Sequence, residues 1–126
     1  MRATRTGRIL SAIAVAFLLF DCIGKLLQVA PVVAGTTALG FPAGAVFTIG
    51  VIELVCVVAY LFPSTSALGA VLLTGFLGGA IAAHLRREDP LLTYTLFPIY
   101  VALFVWGGLF LRDAGLRAFL PWRARA

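Results

Sequence analysis

Four long apolar stretches, separated by shorter segments that carry prolines and charges, dominate the hydropathy pattern of the chain. They cover residues 9–30, 45–62, 67–85 and 91–111. Crossing about 30 Å of hydrocarbon takes about 20 helical residues, so each stretch has close to the length of a membrane span. The ends of the stretches carry Pro31, Pro42, Pro63 and Pro90, and proline interrupts helices. The pattern therefore predicts four transmembrane helices.

The segments that connect these stretches cover residues 31–44, 63–66 and 86–90. Short links place sequential helices side by side and antiparallel, so the expected fold is an all-α, up-down-up-down bundle of four transmembrane helices. We treat residues 1–126 as one membrane domain. The first connection is the longest and is itself apolar, and we expect it to fold over the mouth of the bundle or to re-enter the membrane.

Arginines predict the orientation of the chain. The side that holds both termini carries Arg2, Arg5, Arg8, Arg112, Arg117, Arg123 and Arg125. The opposite side carries only Arg86 and Arg87. The positive-inside rule then predicts a multi-pass protein of the plasma (cytoplasmic) membrane with both termini in the cytoplasm. Residues 112–126 mix arginines with apolar side chains, and we expect this tail to lie along the cytoplasmic interface.

Composition agrees with lipid as the solvent of this chain. Of its 126 residues, 62% are hydrophobic and 12% are charged, whereas soluble domains have about 25% charged residues. The mean hydropathy is +1.07. The net charge of +5 comes mainly from the flanking arginines. The sequence lacks a basic surface interleaved with aromatic residues, so it predicts no nucleic-acid partner.

Three ionisable residues nevertheless lie inside the apolar stretches, namely Asp21, Lys25 and Glu53, and His84 lies near the end of the third stretch. A charge at the centre of a bilayer costs about 2.5 to 3.5 kcal/mol by insertion scales, so such residues are candidates for function. At 100° per residue, one stripe of the first helix holds Phe17, Asp21, Lys25 and Gln28. A stripe of the second helix holds Ile49, Glu53, Val57 and Tyr60.

The predicted topology also gives the depth of these groups. Counted from the outer ends of the helices, Lys25 lies about 8 Å deep, Glu53 about 12 Å and Asp21 about 14 Å, while His84 and Tyr94 lie nearer the rim. The polar groups are therefore expected to converge in the outer half of the bundle, beneath the first connection. Pro98 is expected to kink the fourth helix and to shape a cavity opposite Tyr94.

Two interpretations of the charged groups remain open. Lys25, the only lysine in the chain, can bridge Asp21 and Glu53 in a neutralised structural network. Alternatively, two carboxylates around one ammonium leave a net negative pocket that is suited to acid–base chemistry. His84 similarly either anchors a helix end at the interface or donates protons at the entrance of the pocket.

The remaining candidates are side chains that share the predicted faces and depths. Cys56 and Cys22 are expected to pack in the core, with an interhelical disulfide as the alternative. The sequence contains neither a His-x-x-x-His nor a Glu-x-x-His spacing, so it predicts no metal site. The predicted ligand contacts beside the charged groups are Gln28, Tyr60, Tyr94, Phe17 and Cys56.

The order of the polar motifs resembles a known family. Gly24-Lys25 stands near the end of the first helix, Gly50-Val51-Ile52-Glu53-Leu54 in the second, and a run of small residues leads to His84 in the third. Over about residues 8–98 this pattern is similar to the DoxX-like family of small four-helix membrane proteins. The resemblance implies Lys25, Glu53 and His84 as a shared polar set. It also implies a link to membrane redox complexes, since the family name derives from a subunit associated with a thiosulfate:quinone oxidoreductase.

Three functions follow as hypotheses. In the first, the pocket binds a small lipophilic molecule, a quinone or an isoprenoid-like compound, with Glu53 as acid or base, Lys25 stabilising negative charge, and Asp21 and His84 relaying protons. In the second, the chain is a non-catalytic accessory subunit or assembly factor of a membrane redox complex. The third is a proton-coupled transporter, although the sequence lacks the inverted repeats typical of transporters. The expected partners are the lipid bilayer, the lipophilic molecule, and either further copies of the chain or another membrane subunit.

Overall fold

The fold is built from helices in every region that the structure, a computed structural model, describes: residues 2–113 and Leu116, without the side chains of Ala3 and Tyr94. The helices are α1 (Arg2–Leu26), α2 (Ala30–Ala38), α3 (Ala45–Leu61), α4 (Ser66–Arg86) and α5 (Phe97–Arg112). A 3-10 turn at Pro63–Thr65 precedes α4, and a π-helical turn at Leu91–Thr95 precedes α5. No strand occurs within these residues, and the prediction of an all-α chain is confirmed.

Three helical segments are long and apolar enough to cross a membrane. They are Thr4–Leu26, Pro63–Arg86 and Leu91–Arg112, and α3 is a shorter apolar helix of 17 residues. In the most hydrophobic part of these segments, only 22%, 33% and 35% of the positions, respectively, are buried inside the protein. Large apolar side chains such as Phe20 and Leu92 point outward instead. Surfaces of this kind are compatible with hydrocarbon but not with water, so the protein is embedded in a lipid bilayer.

Helix α1 packs against α3 and α5, and α4 packs against the same two helices from the other side. Small residues allow the closest approaches. Gly108 of α5 lies against the backbone of Ser11, and Gly69 of α4 lies against the backbone of Tyr60. The enclosed core is aliphatic, with the buried side chains of Leu18, Val57, Leu73, Val105 and Leu109.

The first connection differs most from a plain loop. Helix α1 ends at Leu26, and Gln28 adopts a positive φ of 54°, so the chain leaves the helix before residue 30. The connection then forms α2, whose second residue is Pro31. Proline suits the first turn of a helix because the missing N–H has no intrahelical partner there. The apolar segment that the sequence predicted to cover the bundle therefore contains a short helix.

Pro98 also starts a helix instead of bending one. It occupies the first turn of α5, directly after the π-helical turn and Leu96. The predicted kink is thus a break between two helical segments. Beyond Asp113 and Leu116, the predicted interfacial tail lies outside the described residues.

Candidate functional site

A buried ion-pair network links α1 and α3. The Nζ atom of Lys25 donates to Oδ2 of Asp21, one turn earlier in α1, and to Oε1 of Glu53 in α3 at 3.2 Å. The exposed fractions of the side chains are 1% for Glu53, 11% for Lys25 and 35% for Asp21. The structure therefore brings together the three ionisable groups of the apolar stretches, with Glu53 the deepest and Asp21 at the edge.

Gly50, one turn before Glu53, permits this approach of the two helices. A Cβ atom at Gly50 would lie 2.9 Å from Cβ of Lys25 and 3.3 Å from the backbone nitrogen of Leu26. The first distance is shorter than real Cβ contacts allow, so a side chain here would push α1 away from α3. The glycine in the Gly-x-x-Glu motif thus has a physical reason: it lets Lys25 reach Glu53.

One oxygen of the network has no donor. Oε2 of Glu53 is buried and makes no hydrogen bond to the described residues. Its charged neighbours are Asp21, which offers only acceptors when it is ionised, and Lys25, which already contacts the other oxygen. Leaving a buried acceptor unsatisfied costs about 1 to 3 kcal/mol, more for a charged group, so this atom is a natural binding point for a molecule that brings a donor.

The network opens onto a cavity of about 590 Å³. Polar groups from Asp21, Lys25, Glu53 and His84 reach it, whereas most of its wall is apolar. The apolar wall is formed mainly by Phe17, Leu18, Val32, Leu39, Phe41, Ile49, Ile52, Phe76, Leu77, Ala80, Ala83, Phe97, Pro98 and Val101. The ring of Phe76 lies 5.6 Å from Nζ of Lys25, close enough for a cation–π contact. A cavity of this size and lining suits a small, mainly apolar molecule with one polar end.

Helix α2 and the turn after it form one side of the cavity. Val32, Thr36 and Leu39 line it, and the Thr36 hydroxyl is occupied by a 2.9 Å hydrogen bond to the Val32 carbonyl oxygen. The guanidinium group of Arg86 in α4 donates to the Leu39 carbonyl oxygen. Gly40 follows with a φ of 99°, a conformation that favours glycine. Arg86 thereby ties the end of α2 to the end of α4.

His84 lies on the same cavity, at the end of α4. Its Nδ1 is 2.8 Å from Oδ2 of Asp89, and the other carboxylate oxygen of Asp89 lies 3.7 Å from Nε of Arg87. The imidazole is therefore oriented by the polar segment that follows α4. Its predicted role as a proton donor stays a prediction.

The other predicted ligand contacts have different locations. Phe17 lines the cavity, and its ring centroid lies 5.2 Å from that of Phe97. Cys56 and Tyr60 are buried in the core, away from the described lining, and Gln28 is exposed beyond the end of α1. The side chain of Tyr94 lies outside the description. Cys22 and Cys56 are both free thiols.

Tyr60 belongs to a second polar cluster near the start of α1. Its hydroxyl lies 2.8 Å from Oγ of Ser11 and donates to the Val105 carbonyl oxygen at 2.6 Å. Arg112 donates from Nε to Oγ of Ser11 at 3.1 Å, with its guanidinium carbon 5.3 Å from the centroid of the Tyr60 ring. Nothing in the helical stripe distinguished this cluster from the cavity.

Thr36, Phe76 and Phe97 also line the cavity, although the sequence pattern did not predict them there. Thr36 lies in a short helix within an apolar connection, and the Phe76 ring approaches Lys25 from a different helix. Neither arrangement produces a hydrophobic periodicity that the sequence alone would show. No group of three or more His, Cys, Asp and Glu side chains gathers in the described part as a metal site would require. The ionisable groups of the site are two carboxylates, one ammonium group and one imidazole.

The sequence model of the DoxX-like family matches residues 9–108, which include α2, α3 and α4 and most of α1 and α5. No match of comparable significance was found among curated proteins or among solved structures.

Proposed function

This chain belongs to the DoxX-like family, and we propose that it is a four-span membrane protein whose cavity binds a small lipophilic molecule with a hydroxyl or carbonyl group. A quinone or quinol and an isoprenoid alcohol are the chemical classes that fit. The observation that carries this proposal is the buried, unsatisfied Oε2 of Glu53 beside an apolar cavity.

The proposed topology adds α3 to the three longer segments, which gives four membrane spans. The 17 residues of α3 extend about 26 Å, slightly less than the hydrocarbon thickness, and the flanking turns supply the remainder. The close contacts support antiparallel neighbours, since the start of α1 meets the end of α5 at Gly7 and Gly108, and Gly50 meets Lys25 near the end of α1. We place both termini in the cytoplasm because Arg2, Arg5, Arg8 and Arg112 gather at that end of the protein.

The charges define what the cavity can recognise. An ionised Glu53 accepts a hydrogen bond from a ligand hydroxyl, and the Lys25 ammonium donates to a ligand carbonyl or to an oxyanion. If a quinol hydroxyl transfers its proton to Glu53, the ligand becomes a quinolate anion next to Lys25, and total charge and proton count are unchanged. The Asp21 carboxylate, at the exposed edge of the network, is the route by which that proton leaves.

The binding test compares ligands that differ in one functional group. Purified protein is titrated with farnesol, with the hydrocarbon that lacks its hydroxyl, and with a short-chain ubiquinone and its quinol, using a thermal-shift and a direct binding assay. The wild type should prefer each hydroxylated compound by about tenfold or less, the free energy of one or two hydrogen bonds. Glu53→Gln should weaken binding of the alcohol and quinol, and Lys25→Met should weaken binding of the quinone.

Glu88→Gln is the matched control, because it removes a carboxylate from an exposed turn outside the cavity. It should bind all four compounds as the wild type does. If folded Glu53→Gln and Lys25→Met proteins bind these compounds as tightly as the wild type, or if none of the compounds binds, the proposal fails.

A specific observation supports the alternative of an accessory subunit. A Cβ atom at Gly78 of α4 would meet no other atom within 4 Å, and Gly78 lies outside the lining of the cavity near Glu53, so α4 has room there for a close helix from another chain. Native mass spectrometry of protein extracted in mild detergent tests this function. A stoichiometric second subunit would support it, whereas a single chain type with a bound lipophilic molecule would contradict it.

A further inference from the structure

A second cavity lies at the opposite end of α1, away from the charged network, and its lining combines arginines with apolar side chains. Its volume is about 640 Å³. The α1 side is formed by Thr4, Arg8, Ser11, Ala12, Val15, Ala16 and Leu19, and the facing side by Tyr60, Leu61, Pro63 and Arg112. We call this cavity the arginine groove.

The α1 side of the arginine groove is one helical stripe in which polarity changes along the axis. Thr4, Arg8 and Ser11 come first, and Val15 and Leu19 follow at helical spacing. From Arg8 to Leu19 the stripe extends about 16 Å, close to half of the 30 Å hydrocarbon core. The groove is thus polar at one end and apolar over the depth of a single leaflet.

Arg112 is held at the polar end by buried partners. Its Nε donates to Oγ of Ser11, and its guanidinium group packs over the ring of Tyr60, which is only 1% exposed. Arg8 is exposed at the same end. Every acidic side chain of the sequence lies within the described residues, and none forms an ion pair with Arg8 or Arg112 there. Within the part of the chain that the structure describes, two cationic groups therefore border the groove without a side-chain carboxylate to neutralise them.

We propose that the arginine groove is a binding site for an anionic glycerophospholipid. The phosphodiester accepts hydrogen bonds from Arg8 and Arg112, because guanidinium groups match the geometry of phosphate oxygens. One acyl chain lies along Ala12, Val15, Ala16 and Leu19. The small side chains of Ala12 and Ala16 leave the width that such a chain needs. An adjoining hollow lined by Arg5, Arg8 and Ile9 extends the positive rim. Basic pockets between membrane helices recognise anionic headgroups by this combination of charge and shape.

The proposal is independent of the function assigned to the cavity near Glu53, and it is tested by lipid competition. Delipidated protein in a neutral detergent is mixed with equal amounts of phosphatidylglycerol and phosphatidylcholine with identical acyl chains, and bound lipid is counted by native mass spectrometry. The wild type should retain phosphatidylglycerol in preference. Arg8→Gln should reduce that preference about fivefold, the effect typical of one basic residue at a membrane surface.

Two matched controls separate a site from general attraction. Arg2→Gln removes the same charge from the same end but outside the groove lining, and it should leave the preference unchanged. Ala16→Phe, which fills the apolar part, should reduce retention of both lipids, while Ala82→Phe on the exposed surface of α4 should not.

Three results would overturn the proposal. They are equal retention of the two lipids by the wild type, an equal loss in Arg2→Gln and Arg8→Gln, and displacement of the lipid by an equal concentration of glycerol 3-phosphate. The last result would mean that a free phosphate group suffices and that the acyl chain plays no part. The Arg8 side chain is exposed and forms no hydrogen bond or ion pair with the described residues, so these outcomes do not depend on a variant that fails to fold.

Discussion

Lys25 joins two carboxylates that belong to different helices. Without Lys25, the buried carboxylate of Glu53 would have no cationic partner. Its ammonium group contacts Asp21 and Glu53 at once and lies near the face of the Phe76 ring. A buried pair of this kind mainly avoids the free-energy penalty of leaving either charge alone. The stability of the fold and the chemistry of the site therefore depend on the same residue.

Lys25→Met should lower the free energy of unfolding by about 3 to 5 kcal/mol, because it leaves Glu53 buried and unpaired. The double variant Lys25→Met/Glu53→Leu should regain most of this loss, since apolar residues of similar volume replace the pair. Unfolding of both proteins in lipid bicelles measures the difference. A double variant no more stable than Lys25→Met would show that the pair is not the cause.

At this scale, periodicity and depth were enough to predict that Asp21, Lys25 and Glu53 approach one another. Each sits on the inward stripe of its helix, and antiparallel helices bring them to similar depth. Tyr60 shares the stripe of Glu53, but seven residues along a helix amount to about 10 Å. A stripe fixes direction and not depth, which is why Tyr60 lies in the other polar cluster.

At the scale of the elements, the approach of α1 to α3 depends on Gly50. Gly50→Ala should destabilise the protein by about 1 to 3 kcal/mol, because the added methyl group would lie 2.9 Å from Cβ of Lys25. It should also weaken ligand binding by separating Lys25 from Glu53.

Gly78→Ala is the matched control for this prediction. It adds the same methyl group within a helix but meets no atom within 4 Å, so stability should stay the same or rise by about 0.5 to 1 kcal/mol. Unfolding measurements on both variants decide the matter. Equal effects of the two substitutions would contradict the role assigned to Gly50.

The contact of Arg86 with the Leu39 carbonyl oxygen predicts how α2 is held over the cavity. Arg86→Gln should speed hydrogen exchange of the backbone amides in residues 30–41 by several-fold, because local opening no longer breaks a charge-assisted hydrogen bond. Arg87→Gln, whose contact with Asp89 is 3.7 Å long and exposed, should leave that exchange unchanged. Unaltered exchange in Arg86→Gln would show that other contacts keep α2 in position.

The elements that the sequence did not specify are the ones without a distinctive pattern. An apolar connection predicts burial but not α2, whose Thr36 and Thr37 hydroxyls bond to preceding carbonyl groups of the same short helix. Pro98 fits either a kink or a first turn. The choice depends on the turn before it, where the Thr95 hydroxyl bonds to the Asp89 carbonyl oxygen at 3.1 Å.

At the scale of the whole molecule, the two ends of the protein have different chemistry. The cavity near Glu53 lies under α2 at one end, and the arginine groove lies at the other. Hydropathy and arginine placement predicted this polarity, and the family match over residues 9–108 includes the cavity near Glu53 but neither Arg8 nor Arg112. Neither signal specified which side chains would line the two cavities, because that depends on helix rotation and on α2.

The proposed topology gives a prediction about accessibility in intact cells. Ser64→Cys, between α3 and α4, should be protected from a membrane-impermeant maleimide, and Glu88→Cys, between α4 and α5, should react. Cys22 and Cys56 are buried and provide a low background. The reverse pattern would mean the opposite orientation, and labelling of both positions would contradict four spans.

The central claim, that a lipophilic molecule occupies the cavity beside Glu53, is tested most directly by photolabelling in membranes. A farnesol analogue with a diazirine group is activated by light, and the labelled residues are identified by peptide mass spectrometry. Labels are expected on cavity residues such as Phe17, Thr36 and Ile52, and they should be clearly reduced in Glu53→Gln. Labels confined to outward-facing residues such as Val55 and Leu103, or labels on the cavity that are unchanged in Glu53→Gln, would contradict the central claim.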